Sequence, residues 1–174
     1  MNLFRLSDKP KESAQFNQDI HVRKIIVESA QILANCYTLK ELENAPKTQL
    51  GTFRKHSYYN HPICKWVRED LNNFVWVYDH ARFLCQEFTY RFDKVHFCQS
   101  FIEWCNTLIP DLPLNKPTEQ PQCFLKYPEL MVKNNPVEGY RRYYCAHKMF
   151  FVNKSGKVIN ATWTRRDKPE WINT

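Results

Sequence analysis

The sequence predicts a mostly helical, compact fold with one small C-terminal β-hairpin, and three observations carry that expectation. Only three glycines stand against ten prolines, a balance that suits helices joined by proline-marked loops. Residues 19–37 place apolar side chains at helical spacing around most of a cylinder. One segment, MFFVNKSGKVINATW, instead reads as two short strands turning at Ser155-Gly156.

Taken in order, the start MNLFRL is apolar and extended. A short helix fits 9–16 and a long one 19–37, followed by a polar and basic loop over 44–60. Asn60-His61-Pro62 joins an N-cap residue to a first-turn proline, which predicts a helix reaching about residue 70. Asn72 or Asn73 is the expected cap of the next helix, to about 92, and a further helix fits 95–108. Residues 109–136 are a proline-rich irregular connector, and a last helix fits 137–148. A chain of 174 residues suits one hydrophobic core. The expected organisation is therefore a single domain: helical core over about 1–108 and 136–148, connector 109–136, hairpin and tail 149–174.

Composition narrows the function. No apolar run approaches the roughly eighteen residues of a membrane span, and the N-terminus lacks a signal-peptide core. The seven cysteines include no CxxC pair and sit mostly among apolar residues, which points to reduced core thiols and a cytoplasmic protein. No metal-ligand spacing, glycine-rich phosphate loop or nucleophile elbow occurs, so neither metal nor cofactor is expected. A net charge of +7 attracts phosphate. Basic and aromatic residues alternate in RKHSYYNHPICKW, YRRYYCAHK and TWTRRDKPEW, a mixture that holds phosphates and stacks on unpaired bases. DNA, another nucleic acid or a nucleotide is the expected partner.

Two constellations stand out. His21, Lys24, Glu28, Gln31 and Asn35 fall on one narrow strip of the long helix, whose remaining circumference is nearly all apolar. Because unpaired buried charge is costly, that strip is expected to face a wet cleft, where its carboxylate, amine and imidazole share one cavity and can do acid/base chemistry. The second is the helix start Tyr58-Tyr59-Asn60-His61, followed by Lys65, Trp66 and Arg68. Its amide end and cations suit a phosphate, with the aromatic rings available for a base. Glu87 and Arg91, four apart on the following helix, read as a structural pair.

NQDIHVRKIIVESAQIL, YYNHPICKWVRED and CQEFTYRFDKVH together resemble small phage-encoded proteins classed beside pyrimidine-dimer DNA glycosylases of the endonuclease V type. The resemblance covers about residues 1–108 and 136–148 and has no counterpart for the connector or hairpin. It implies an all-helical enzyme in which a terminal amine attacks the sugar C1′ and a helix glutamate manages the sugar ring during strand cleavage. His21 and Glu28 reproduce the family's histidine and glutamate seven positions apart. Tyr140-Arg141-Arg142-Tyr143-Tyr144 is similar to its aromatic-basic C-terminal motif. The arginines that flank the family's glutamate are Val27 and Gln31 here. Asn2 favours retention of Met1, so the amine is that of Met1 or, alternatively, of Lys24.

The resulting expectation is a DNA glycosylase/AP lyase acting on damaged or modified pyrimidine, in the cytoplasm of an infected bacterial host if phage-encoded. Glu28 is the acid/base residue, Lys24 or Met1 the nucleophile and His21 an orienting group. Lys65, Arg68, Arg141 and Arg142 hold phosphates, while Tyr58, Tyr59 or Trp66 stacks on an extruded base beside Asn60 and His61. The alternatives are a non-enzymatic phage accessory protein that binds nucleic acid, nucleotide or a host protein on the same scaffold, and a structural component whose strip merely satisfies an internal network.

Overall fold

The computed structural model describes residues 3–172. Its helices are α1 (Pro10–Phe16), α2 (Asp19–Ala34), α3 (Leu39–Glu43), α4 (Pro62–Glu69), α5 (Leu71–Phe92), α6 (Gln99–Trp104) and α7 (Pro136–His147). The strands β1 (Phe150–Val152) and β2 (Val158–Asn160) form one antiparallel hairpin. The protein is thus mostly α with a small C-terminal β-hairpin. No helix among the described residues is long and apolar enough to cross a membrane.

The long helix α5 is the axis of the packing, with α1, α2, α4 and α6 laid against it. Val22, Ile25, Ile26, Ala30, Ile32 and Leu33 of α2 and Phe74, Val77, Ala81 and Leu84 of α5 are buried in one core. The N-terminal segment is part of that core: Leu3 and Leu6 are fully buried and Phe4 nearly so. Ser13 of α1 pins it, accepting from the Leu6 amide at 3.0 Å and donating to the Phe4 carbonyl at 3.1 Å.

Local chemistry sets the helix ends. Pro10, Pro62 and Pro136 each stand in a first turn, where the missing N–H has no intrahelical partner to lose. Asn135 caps α7 by accepting from the Glu138 amide at 3.0 Å. The cap of α5 is Asp70 rather than Asn72 or Asn73. Asp70 has extended backbone (φ −156°), which breaks the chain between α4 and α5, and its carboxylate accepts from the Asn72 and Asn115 amides at 2.8 and 2.7 Å. Asn73 is buried instead and donates to the Trp66 carbonyl and the Thr118 hydroxyl at 2.9 and 2.8 Å. Helix α3 falls between the expected long helix and the polar loop, where the sequence predicted no element; Thr38 and Glu41 nucleate it with a reciprocal capping box. Helix α6 is shorter than 95–108 because His96 turns inward and accepts from the Cys98 amide at 3.2 Å, holding 96–98 in a turn.

The connector is irregular but anchored. Tyr140 donates to the Pro121 carbonyl, Gln120 to that of Leu3, and Trp66 Nε1 to that of Thr118, at 2.9, 2.7 and 3.0 Å. Gln122 brackets both backbone groups of Val132 and lies so close to α7 that a Cβ on Gly139 would sit 1.8 Å from its Oε1. Glycine at 139 is what permits that approach.

Candidate functional site

The polar strip of α2 is held at both ends by other elements. At its start, His21 Nδ1 lies 2.7 Å from the Tyr144 hydroxyl, which also accepts from the Gln18 amide at 2.8 Å. The Phe4 and Tyr144 rings pack on the imidazole at centroid distances of 4.8 and 5.1 Å. Burial first, then the charges of Lys148 and Lys24, push the His21 pKa down to about 3, so its ring is neutral near pH 7. A neutral imidazole orients and hydrogen-bonds; it does not supply a positive charge. At the far end, Asn35 clamps Ser57 in both directions, its amide donating to the Ser57 carbonyl at 2.9 Å and its carbonyl accepting from the Ser57 amide at 3.1 Å. Glu28 and Gln31 lie between these clamps and are half-buried.

The single cavity expected for the strip is divided. Gln31 lines a cavity of about 520 Å³ between α2 and the 48–57 loop, walled by Val27, Ala30, Leu50, Phe53 and Arg54. Lys24 lines a neighbouring one of about 430 Å³ with Arg23, Phe88, His96 and Phe97. The walls of neither include His21, which is turned toward Tyr144 on α7, or Glu28. Lys24 is exposed, so the apolar enclosure that would make a lysine a ready nucleophile is missing around it. Met1 lies outside the described residues.

At the start of α4, Tyr58 has φ 52° and is 69% exposed, and Asn60 and Lys65 are also exposed. Arg68 covers the Tyr59 ring at 3.5 Å from its centroid while donating to the Tyr59 carbonyl at 3.0 Å. The His56 ring packs 5.0 Å from the Tyr59 ring. His61 is the cap: its Nδ1 accepts from the Ile63 amide at 3.3 Å, and burial lowers its pKa. Tyr58, Tyr59, Asn60, His61, Lys65 and Arg68 therefore form one surface group.

Three residues assigned to nucleic acid from the sequence are otherwise engaged. Trp66 is 3% exposed, in the core, and cannot offer its face to a base. Arg141 donates to the Leu6 carbonyl at 2.9 Å, and its guanidinium lies near the Phe16 and Trp171 rings. Arg142 is paired with Glu138 at 2.8 Å, one helical turn away. Periodicity showed that Trp66 shares a helix with Lys65 and Arg68 but not which way the core lay.

The largest charged network was legible only in part. Glu87 and Arg91 are the structural pair expected, but they belong to a buried group that reaches across the chain. Arg91 also meets Asp19 at 3.2 Å, and Glu87 meets Arg166 at 2.7 Å. Asp19 further accepts from the Thr162 and Thr164 hydroxyls at 2.8 and 2.7 Å. Burial acts to raise the Asp19 pKa, but the hydrogen bonds from Thr164, Thr162 and Arg91 outweigh it and hold the carboxyl below its ordinary value. The network straps residues 162–166 onto the start of α2. Among the described residues no group of three or more histidine, cysteine or acidic side chains could hold a metal ion. The chain matches no family model, and the comparisons with curated proteins and solved structures found no match.

Proposed function

We propose that this protein acts on DNA as a pyrimidine-directed glycosylase/AP lyase, with the Met1 amine as nucleophile and Glu28 as the carboxylate that manages the opened sugar. The observation that carries this reading is the anchoring of the N-terminal segment beside the strip: Leu3 is fully buried, and the Phe4 ring packs on His21. The exposure of Lys24 favours Met1 as the attacking amine.

In this reaction the amine nitrogen bonds to C1′ as the base departs with the glycosidic electron pair. The sugar ring then opens to leave an imine, and loss of a C2′ proton expels the 3′ phosphate. Glu28, half-buried on α2, is the base available to that proton, and the neutral His21 orients polar groups at the same strip. The Tyr59–Arg68 group with Lys65 holds the backbone.

Borohydride reduction in the presence of duplex DNA bearing an abasic site or a pyrimidine dimer tests the proposal. A covalent protein–DNA adduct that disappears when the N-terminal amine is acetylated is the expected result. An adduct that survives acetylation and is lost in Lys24→Gln would move the nucleophile to Lys24. No adduct on either substrate, with DNA binding intact, would favour a non-enzymatic binder. The Gln31 cavity, which carries Arg54 and Lys55 on its wall, supports that second reading because it offers a nucleotide an apolar floor beside cations.

A further inference from the structure

Between Gly139 and Arg166 the sequence contains no aspartate or glutamate, yet it carries Arg141, Arg142, Lys148, Lys154, Lys157, Arg165 and Arg166. The four arginines are engaged with the body of the protein: Arg141 with Leu6, Arg142 with Glu138, Arg165 with Asp93 and Arg166 with Glu87. Lys154 and Lys157 are exposed at the hairpin tip, in a segment with no carboxylate to pair with them.

Beside those lysines lies an exposed apolar face. The register pairs Val152 with Val158 and Phe150 with Asn160, so these four side chains share one side of the ribbon. Phe150, Val152 and Val158 are 56%, 58% and 57% exposed, whereas Phe151 and Ile159 on the opposite side are half-buried. The hairpin is also held in shape. Asn153 Oδ1 accepts from the Ser155 and Lys157 amides, each at 3.0 Å, and Gly156 takes the left-handed turn conformation at φ +78°. At its base, Ala161 donates to the Met149 carbonyl at 2.7 Å, Trp163 to that of Phe16 at 2.9 Å, and Thr162 and Thr164 to Asp19.

We propose that this hairpin is a second nucleic-acid-contacting element, a preorganised β-ribbon that enters a groove of double-stranded DNA. Charge complementarity selects the occupant: an acid-free basic tip fits a polyanion. A groove offers phosphates on its rims to Lys154 and Lys157 and sugars and thymine methyls on its floor to Phe150, Val152 and Val158. B-form major grooves, about 12 Å wide, admit a two-stranded ribbon. The inference rests on the reading that the chain handles DNA, but not on the amine chemistry.

The test is binding to an undamaged duplex of about 20 base pairs, followed by fluorescence anisotropy across 50–300 mM salt. In Lys154→Ser/Lys157→Ser the slope of log affinity against log salt should become shallower by about 2, one unit for each phosphate no longer neutralised. In Phe150→Ser/Val152→Ser affinity should fall several-fold with the slope unchanged. Both variants alter only exposed side chains and should keep the parent's circular dichroism and melting temperature. If the apolar variant unfolds, the lysine variant decides the matter alone. Unchanged slope and affinity in the lysine variant would overturn the proposal. So would parent protein that binds phosphatidylserine vesicles through these lysines but not duplex DNA. Hairpin-dependent duplex binding without borohydride trapping would sink the lyase reading and leave this one standing. Trapping on a short single-stranded abasic oligonucleotide, together with hairpin-independent duplex binding, would do the reverse.

Discussion

Replacing Arg91 with methionine should destabilise the fold through the strap that joins the chain's C-terminal segment to the start of α2. The guanidinium is wholly buried and donates to Glu87 at 3.0 Å, to Asp19 at 3.2 Å, and to the Asn17 and Gln15 carbonyls at 2.8 Å each. Methionine fills part of the volume and leaves those four acceptors one donor short. Removing one partner of a buried ion pair costs on the order of 3–5 kcal/mol. Here the lower end applies, because Glu87 keeps Arg166 and Asp19 keeps Thr162 and Thr164. At roughly 2–4 °C per kcal/mol for a chain of this size, about 3 kcal/mol corresponds to a fall in melting temperature of about 6–12 °C near pH 7. Thermal denaturation followed by circular dichroism measures it. The pH dependence follows from Asp19, whose pKa is lowered in the fold. Its contribution is complete above the ordinary carboxylate value of about 3.9 and is lost as pH falls through the lowered one. The gap between parent and variant should therefore narrow only in that acid range. A fall of less than about 2 °C, or a gap that closes near pH 6, would refute the strap as a source of stability.

Glu28→Gln keeps shape and burial but removes charge, and turnover on abasic DNA should drop by roughly 10²-fold with DNA affinity within a few-fold; a stable variant of unchanged activity would remove Glu28 from the chemistry. Tyr144→Phe deletes the hydroxyl shared by the Gln18 amide and His21. It should cost about 1–2 kcal/mol and lower kcat more than it raises KM, and an unaltered His21 ring resonance in NMR spectra would show that the hydroxyl does not orient it. His80 is fully buried, and neither ring nitrogen has a hydrogen-bond partner among the described residues. His80→Phe should therefore leave stability unchanged or raise it by about 1 kcal/mol. Burial, and then the charge of Arg5, push the His80 pKa down to about 3. The unfolded chain takes up the proton first, so stability contributed by the neutral ring is lost as pH falls from about 6.5 toward that value. The variant should show a flatter stability profile across this window, and a loss above about 2 kcal/mol at pH 7 would contradict the reading.

Several elements could be read from the chain because their causes are local. Proline in a first turn marks α4, and the apolar girth of α2 identified it as buried on most sides. The hairpin was legible from a short-range turn signal, Ser155-Gly156 between the FFV and VIN segments. The strip from His21 to Asn35 was equally visible, since helical spacing alone aligns its members.

What those residues face was decided by tertiary packing. Side-chain spacing gave no sign that Tyr144 would meet His21, 123 positions earlier, or that Lys24 and Gln31 would open onto separate cavities. Trp66 read as a base contact because an aromatic residue looks alike in sequence whether it meets a base or the core. Asp70 displaced Asn72 and Asn73 as the cap because a carboxylate can accept from amides both on its own helix and in the distant connector. Local propensity determined where this chain becomes helix and hairpin. Which polar groups became strap, clamp or open surface depended on long-range neighbours, because the cost of leaving a buried donor or acceptor unpaired is settled only where the partners meet.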